Sequence, residues 1–262
     1  MSSTNSREIA AFLRLVWRHW KEDGRHDLPW RKTTDPYKIL VSEVMLQQTP
    51  VSRVVGRYES FIERFPTIRA LARAELKDVL RQWSGLGYNR RGKYLHDSAK
   101  EIVTMHAGDF REALRHSLPG IGPYTRSAVR IFSFNERDIL IETNIRTALM
   151  RHFARSTLKV SDSTLLVYAR KIAKKQDPRK WHWALMDYGA YLKKTGVRNN
   201  SRSVHYVKQS KFEGSLRQMR GEILRQLHAG KQPRGDERMT RALSSLARDG
   251  LIVRQKGKWR IA

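Results

Sequence analysis

The 262-residue sequence predicts an all-α protein, two helical domains followed by a small winged-helix-like domain at the end of the chain. Three observations carry that expectation. Apolar residues recur with helical period through the first 200 residues, as in Ile9, Phe12, Leu13, Val16, Trp17 and Trp20. Strand-like alternation is nearly absent before Leu251-Ile252-Val253 and Trp259-Arg260-Ile261, which flank the turn-forming pair Lys256-Gly257. No internal repeat or low-complexity tract suggests another architecture.

The elements follow in order. The first amphipathic helix ends near Gly24, and a loop carries Leu28-Pro29-Trp30-Arg31. Asp35-Pro36 then opens a second helix, because Asp caps free N–H groups and Pro suits the first helical position. Further helices are expected over 51–64, 67–73, 75–83 and 90–106, separated by Pro66, a polar joint and Gly85-Leu86-Gly87. The string Leu118-Pro119-Gly120-Ile121-Gly122-Pro123-Tyr124-Thr125 leads into an apolar helix through Phe134. Helices over 144–155, 162–175 and 178–194 complete this part. Residues 195–211 read as a linker, and 212–262 as two helices and a hairpin, with Met239–Arg248 as the second helix and Arg254–Arg260 as a basic wing.

Composition narrows the chemistry. A net charge of +27 favours a polyanionic partner, since each Lys or Arg placed on a phosphate releases a counterion. No cysteine is present, which excludes disulfides, thiolate metal sites and a cysteine nucleophile. No run of 18 apolar residues occurs, and the N-terminal stretch lacks a signal-peptide core, so a cytoplasmic protein with no membrane contact is expected.

Three features point to a site. Gly120 and Gly122 permit a tight turn between helices whose N–H groups cradle a phosphate, the helix-hairpin-helix pattern. Glu43 lies in a helix otherwise rich in Ile39, Leu40, Val41, Val44, Met45 and Leu46. It is either paired structurally or desolvated toward the pKa range of a general acid. Glu142 ends the apolar run Ile139-Leu140-Ile141 just before a helix, where capping and catalysis are both open.

Taken together, Leu28-Pro29-Trp30-Arg31, Asp35-Pro36-Tyr37, Ser42-Glu43-Val44-Met45-Leu46-Gln47-Gln48-Thr49, Trp83-Ser84-Gly85-Leu86-Gly87-Tyr88, the hairpin 118–125 and Asn144-Ile145-Arg146 resemble the MutY-type adenine DNA glycosylases. These motifs keep the family's order and spacing over about residues 25–192. The resemblance implies a helix-hairpin-helix glycosylase core, related to endonuclease III, that excises a flipped base. It implies a six-helix domain over 28–135 and a second helical domain from 1–27 plus 136–211 completing the cleft, while residues 212–262 by their own pattern form a separate domain. By similarity Glu43 protonates the departing adenine, Glu142 stands where the family has its catalytic Asp, and Tyr124 assists that carboxylate. Trp30, Arg31 and Trp183 line the base pocket. Gln48, Thr49, Leu86, Tyr88, Gly120, Gly122, Lys193 and Lys194 meet the DNA, Gln48 and Tyr88 as wedges. A Na+ or K+ ion is expected at the backbone of Leu118 and Gly120, with no metal held by side chains. Endonuclease III-type lyases have Lys where this chain has Tyr124, so a monofunctional enzyme is expected.

Four departures accompany the resemblance. Glu142 replaces Asp, a methylene longer. Trp183 stands where the family usually has a Gln or Glu that reads the base, which leaves mismatched thymine or uracil as an alternative substrate. A non-catalytic DNA-binding protein on the same scaffold is a further alternative. The four iron–sulfur cysteines that would follow Gly189-Ala190 are missing, and no other cofactor is expected. The Nudix-like domain that recognises 8-oxoguanine is replaced by the 50-residue segment 212–262. The expected partner is duplex DNA with a damaged or mismatched base, bound by a nucleoid-associated monomer.

Overall fold

A computed structural model describes residues 6–155, 158–208 and 211–262. The expected linker 195–211 lies within these except for residues 209 and 210. The fold is mostly helical, and its only sheet among the described residues is a two-stranded hairpin at the C-terminus.

The chain divides into two compact units, 1–34 with 126–208 and 35–125 with 209–262. In the first, α1 (Ser6–Asp23), α9 (Thr143–Phe153), α10 (Asp162–Ala173) and α11 (Pro178–Lys194) pack together. Phe12 of α1 is buried within ring-contact distance of Phe153, Trp181 and Tyr188. A Cβ at Gly189 would lie 2.0 Å from the carbonyl oxygen of Asn144, so only glycine lets α11 approach the start of α9 this closely.

The second unit holds α2 (Pro36–Leu46), α3 (Val51–Arg64), α4 (Ile68–Arg73), α5 (Leu76–Gln82), α6 (Arg90–Met105) and α7 (Phe110–Ala113). It also holds α12 (Leu216–His228), α13 (Glu237–Arg248), β1 (Ile252–Gln255) and β2 (Lys258–Ile261). The intervening helix α8 (Pro123–Phe134) begins in this unit and ends in the first.

Local signals in the sequence set the helix starts. Asp35 accepts from the Tyr37 amide at 2.9 Å with Pro36 in the first turn, Thr67 caps α4, and Ser161, Asp177, Ser215 and Asp236 cap α10 to α13. Strands β1 and β2 pair antiparallel from Ile252 with Ile261 to Gln255 with Lys258. Lys256 and Gly257 both have positive φ, the type I′ geometry that matches strand twist.

The sequence suggests three segments where the structure clusters into two units. Leu80 of α5 is the reason: it is buried among Ile223, Leu227, Leu243, Leu246 and Leu251 of the C-terminal segment. Burying apolar area at roughly 25 cal/mol per Å² makes such a shared cluster cohesive.

Candidate active site

The C-terminal end of α2 carries the acid and the first turn. Glu43 is 7% exposed, enclosed with Leu40, Val41, Val44 and Met45. Where α2 ends, its last carbonyls lack helical partners, and Arg91 of α6 supplies them. Its Nη1 donates to the carbonyls of Val44 (2.8 Å), Met45 (3.0 Å) and Gln47 (2.5 Å). Its Nη2 donates to Thr49 Oγ1 (3.0 Å) and to the carbonyls of Leu86 (3.3 Å) and Gly87 (3.2 Å). Burial pulls the Arg91 pKa down to about 10, which still leaves it charged at neutral pH. One guanidinium thus fixes two turns at once, that of Gln48 and that of Tyr88. Sequence reasoning missed it, because an Arg at the start of a basic helix looks like any other surface cation.

Gln48 and Tyr88 both have positive φ, 55° and 46°. For side chains with a Cβ this backbone is strained, and such strain persists where surrounding contacts enforce it. Gln48 is exposed and Tyr88 half-buried. Thr49 and Leu86, expected at the DNA, are buried at 7% and 3% exposure. The Thr49 side chain and the Leu86 carbonyl serve the Arg91 network, so these residues hold the turns in place.

The hairpin before α8 is closed by the Ile121 amide on the Leu118 carbonyl at 3.1 Å. Gly120 requires glycine twice over: its φ is +69°, and a Cβ would lie 2.7 Å from Tyr94. Gly122 has neither constraint, since a Cβ there meets nothing within 4 Å. The two glycines, equivalent in sequence, therefore differ in structure. Tyr124 is half-buried in the first turn of α8.

In the other unit Glu142 is the N-cap of α9. Its carboxylate folds back to accept from the amides of Asn144 (2.8 Å) and Ile145 (2.9 Å), which accommodates the extra methylene. Burial pushes its carboxyl above the usual range, although these two amides and the charges of Lys193 and Arg146 oppose the shift. Capping is its observed geometry, and a helix N-terminus favours its anion. The cap leaves the carboxylate costly to ionise all the same.

The same unit contains an aromatic and ionic cluster around Arg31. Its Nη1 donates to Asp187 Oδ2 (2.7 Å) and its Nη2 to Asp187 Oδ1 (2.9 Å). Arg25 donates to the same carboxylate through Nε (2.6 Å) and its amide (2.9 Å). The Arg31 guanidinium lies over Trp20 and Trp183, 5.4 and 5.5 Å from their ring centroids. Trp183 stacks on Phe132 at 5.6 Å, and Trp30 is 6% exposed. Asp187 and Arg25 were not singled out from sequence. The available signal was an acid inside the apolar face of α11 with no basic residue four positions away.

The segment after α11 does not fit a thiolate-ligated cluster. Lys193 Nζ donates to Asn144 Oδ1 at 3.2 Å, and Arg198 caps the Lys193 carbonyl. Asn199 and Asn200 donate to the Thr147 carbonyl and hydroxyl, each at 3.0 Å. Hydrogen bonds to α9 tether this segment, while Lys194 is exposed. Among the described residues no group of three or more His, Asp or Glu could hold a metal ion, and no helix is long and apolar enough to cross a membrane.

Residues 41–175 match the family model of the HhH-GPD superfamily base excision DNA repair proteins. An adenine DNA glycosylase of Mycobacterium tuberculosis (strain ATCC 25618 / H37Rv) is 42% identical over 154 residues, 57% of this chain and 49% of that protein. The human adenine DNA glycosylase is 32% identical over 199 residues, 70% of this chain and 36% of that protein. The chain thus spans about half the length, or less, of these curated relatives. In fold it is similar to a thermostable thymine-DNA glycosylase, with a TM-score of 0.64 at 24% identity over 72% of this chain and 88% of that one. A trapped endonuclease III–DNA covalent intermediate gives 0.55 at 15% identity, over 72% and 86%. By its matched core and its helical fold, the chain belongs to the HhH-GPD superfamily of base excision DNA repair proteins.

Proposed function

We propose that this protein is a monofunctional DNA glycosylase that removes adenine mispaired with guanine or 8-oxoguanine. Glu43 carries the reading. It is 7% exposed on an apolar helix, and by the family resemblance it is the acid that supplies a proton to the base. A departing adenine needs that proton, whereas a pyrimidine leaving as its anion does not. The curated relatives named adenine DNA glycosylase support the same substrate.

In the proposed mechanism Gln48 and Tyr88 enter the duplex as wedges, and the adenine leaves the stack. Glu43 protonates the base as the N-glycosidic bond breaks, the ionised Glu142 stabilises the oxocarbenium ion, and Tyr124 assists it. Trp30, Arg31 and Trp183 would line the base pocket, with Arg31 oriented by Asp187. Water then completes hydrolysis and leaves an abasic site. Tyr124 offers no amine, so no Schiff base forms at that position.

The amides around Gly120 and Gly122, with Lys193 and Lys194, would grip phosphates. The carbonyls of Leu118 and Gly120 would take a monovalent cation. Residues 212–262 read as a winged helix whose α13 and basic hairpin add duplex contacts. Trp183 favours a second reading, excision of mismatched thymine or uracil, because a ring stacked on Phe132 replaces a hydrogen-bonding reader.

Single-turnover assays on duplexes carrying A, T or U opposite G or 8-oxoguanine test the proposal. Strand breaks after alkali from the A-containing duplexes, lost in Glu43→Gln by about 10²–10⁴-fold, are expected. Cleavage confined to T or U would establish the second reading. No cleavage of any duplex would refute both.

A further inference from the structure

The two arginines flanking Tyr88 belong to a longer series. Arg91 lies over Trp83 and over Tyr88, 5.6 and 5.4 Å from the ring centroids. Arg217 of α12 lies over Tyr88 and over Phe212, at 5.0 and 5.4 Å, and its Nη1 also donates to the Tyr88 hydroxyl. Trp83, Arg91, Tyr88, Arg217 and Phe212 thus alternate aromatic ring and guanidinium, each cation shared by two rings. The ladder starts at Trp83, which is 0% exposed, and ends at Phe212, which is 54% exposed beside Leu216 at 43%. Phe212 and Leu216 thus present apolar surface at the open end of a cationic framework, the kind of surface on which a planar ring stacks.

We propose that the outer face of Phe212 stacks on the orphaned base, the nucleotide left unpaired opposite the flipped one. This rests on the glycosylase reading, in which the turn that carries Tyr88 meets the duplex. The chemistry fits a purine. Every base offers a π face, a strongly basic chain brings the strand close, and the cation beneath Phe212 draws electron density from its ring. Arg217 also fixes the ring beforehand, which lowers the entropy cost of capture. The segment outside the matched region 41–175 therefore supplies a contact to the opposite strand.

Fluorescence anisotropy with the full chain tests this without catalysis. Two labelled duplexes of one sequence are compared, one fully paired and one with a tetrahydrofuran abasic analogue opposite guanine. The unmodified protein prefers the abasic duplex, and Phe212→Ala lowers that preference about tenfold, the effect of losing one base–aromatic stack. Arg217→Lys keeps the charge but breaks the ladder, and lowers the preference in the same direction. Equal weakening on both duplexes, an unchanged preference in Phe212→Ala, or no preference in the unmodified protein would each overturn the proposal. A protein that shows the Phe212-dependent preference yet excises no adenine would refute only the adenine reading.

Discussion

Two carboxylates in the same unit, the buried Asp187 on α11 and the half-buried Glu142 before α9, receive opposite treatment. Burial alone would raise both. At Asp187 the bidentate bond from Arg31 and the charges of Arg31 and Arg25 outweigh burial and hold the carboxyl below its usual range. At Glu142 two backbone amides and more distant cations do not offset burial, and the carboxyl stays raised. The difference separates a carboxylate that secures the fold from one whose charge the fold tolerates at a cost. Geometry marks the same distinction, since Asp187 faces the guanidiniums of Arg25 and Arg31 whereas Glu142 accepts from two backbone amides.

The largest effect should come from Asp187→Asn. It strands Arg31, whose side chain is 4% exposed, and should lower unfolding stability by about 3–5 kcal/mol in urea denaturation. A loss below about 1 kcal/mol would place Asp187 with the ordinary surface pairs. Its sign with pH follows from the lowered pKa: the Asp187 contribution is present above an unfolded value near 4 and is lost as pH falls through the folded one.

Glu142→Gln should invert this pattern. Excision falls about 10²–10³-fold, the usual size for removing one electrostatic stabiliser of a transition state. The melting temperature at pH 8 equals or exceeds that of the unmodified protein. A raised carboxyl stabilises the fold below its unfolded pKa, and that contribution is lost as pH rises through the folded value. The stability advantage of Glu142→Gln should therefore shrink as pH falls toward 4. A mutant clearly less stable at pH 8 would make Glu142 a structural cap like Asp177, not a counterpart to Asp187.

The smallest effect concerns the basic end of α11. Lys193→Ala with Lys194→Ala should reduce the salt slope of duplex binding by about one to two units. A reduction confined to Lys194→Ala would show that the Lys193–Asn144 bond keeps Lys193 with the Glu142 cap.

Much of the site was legible in the residues. Glu43 on its apolar run, the glycine hairpin and the Asp35-Pro36 helix start are local signals, and local signals survive folding because their partners lie within a turn or two. The roles of Thr49 and Leu86 were not legible. The motif that marks them gives position along the chain, while the Arg91 guanidinium that holds the Thr49 hydroxyl comes from 42 positions away, and the same group reaches the Leu86 carbonyl from five. Arg31 shows the same limit: its motif is local, and its partner is 156 positions distant.

By itself the sequence determined the helical class, the helix starts, the strongly positive charge and the impossibility of a thiolate cluster, since these follow from composition, periodicity and capping. Only the tertiary structure decided which carboxylate is neutralised and which is left costly. It alone joined Trp83, Arg91, Tyr88, Arg217 and Phe212 into one ladder. Electrostatic cost and ring stacking depend on what lies within a few ångströms in space, and chain order does not specify those neighbours.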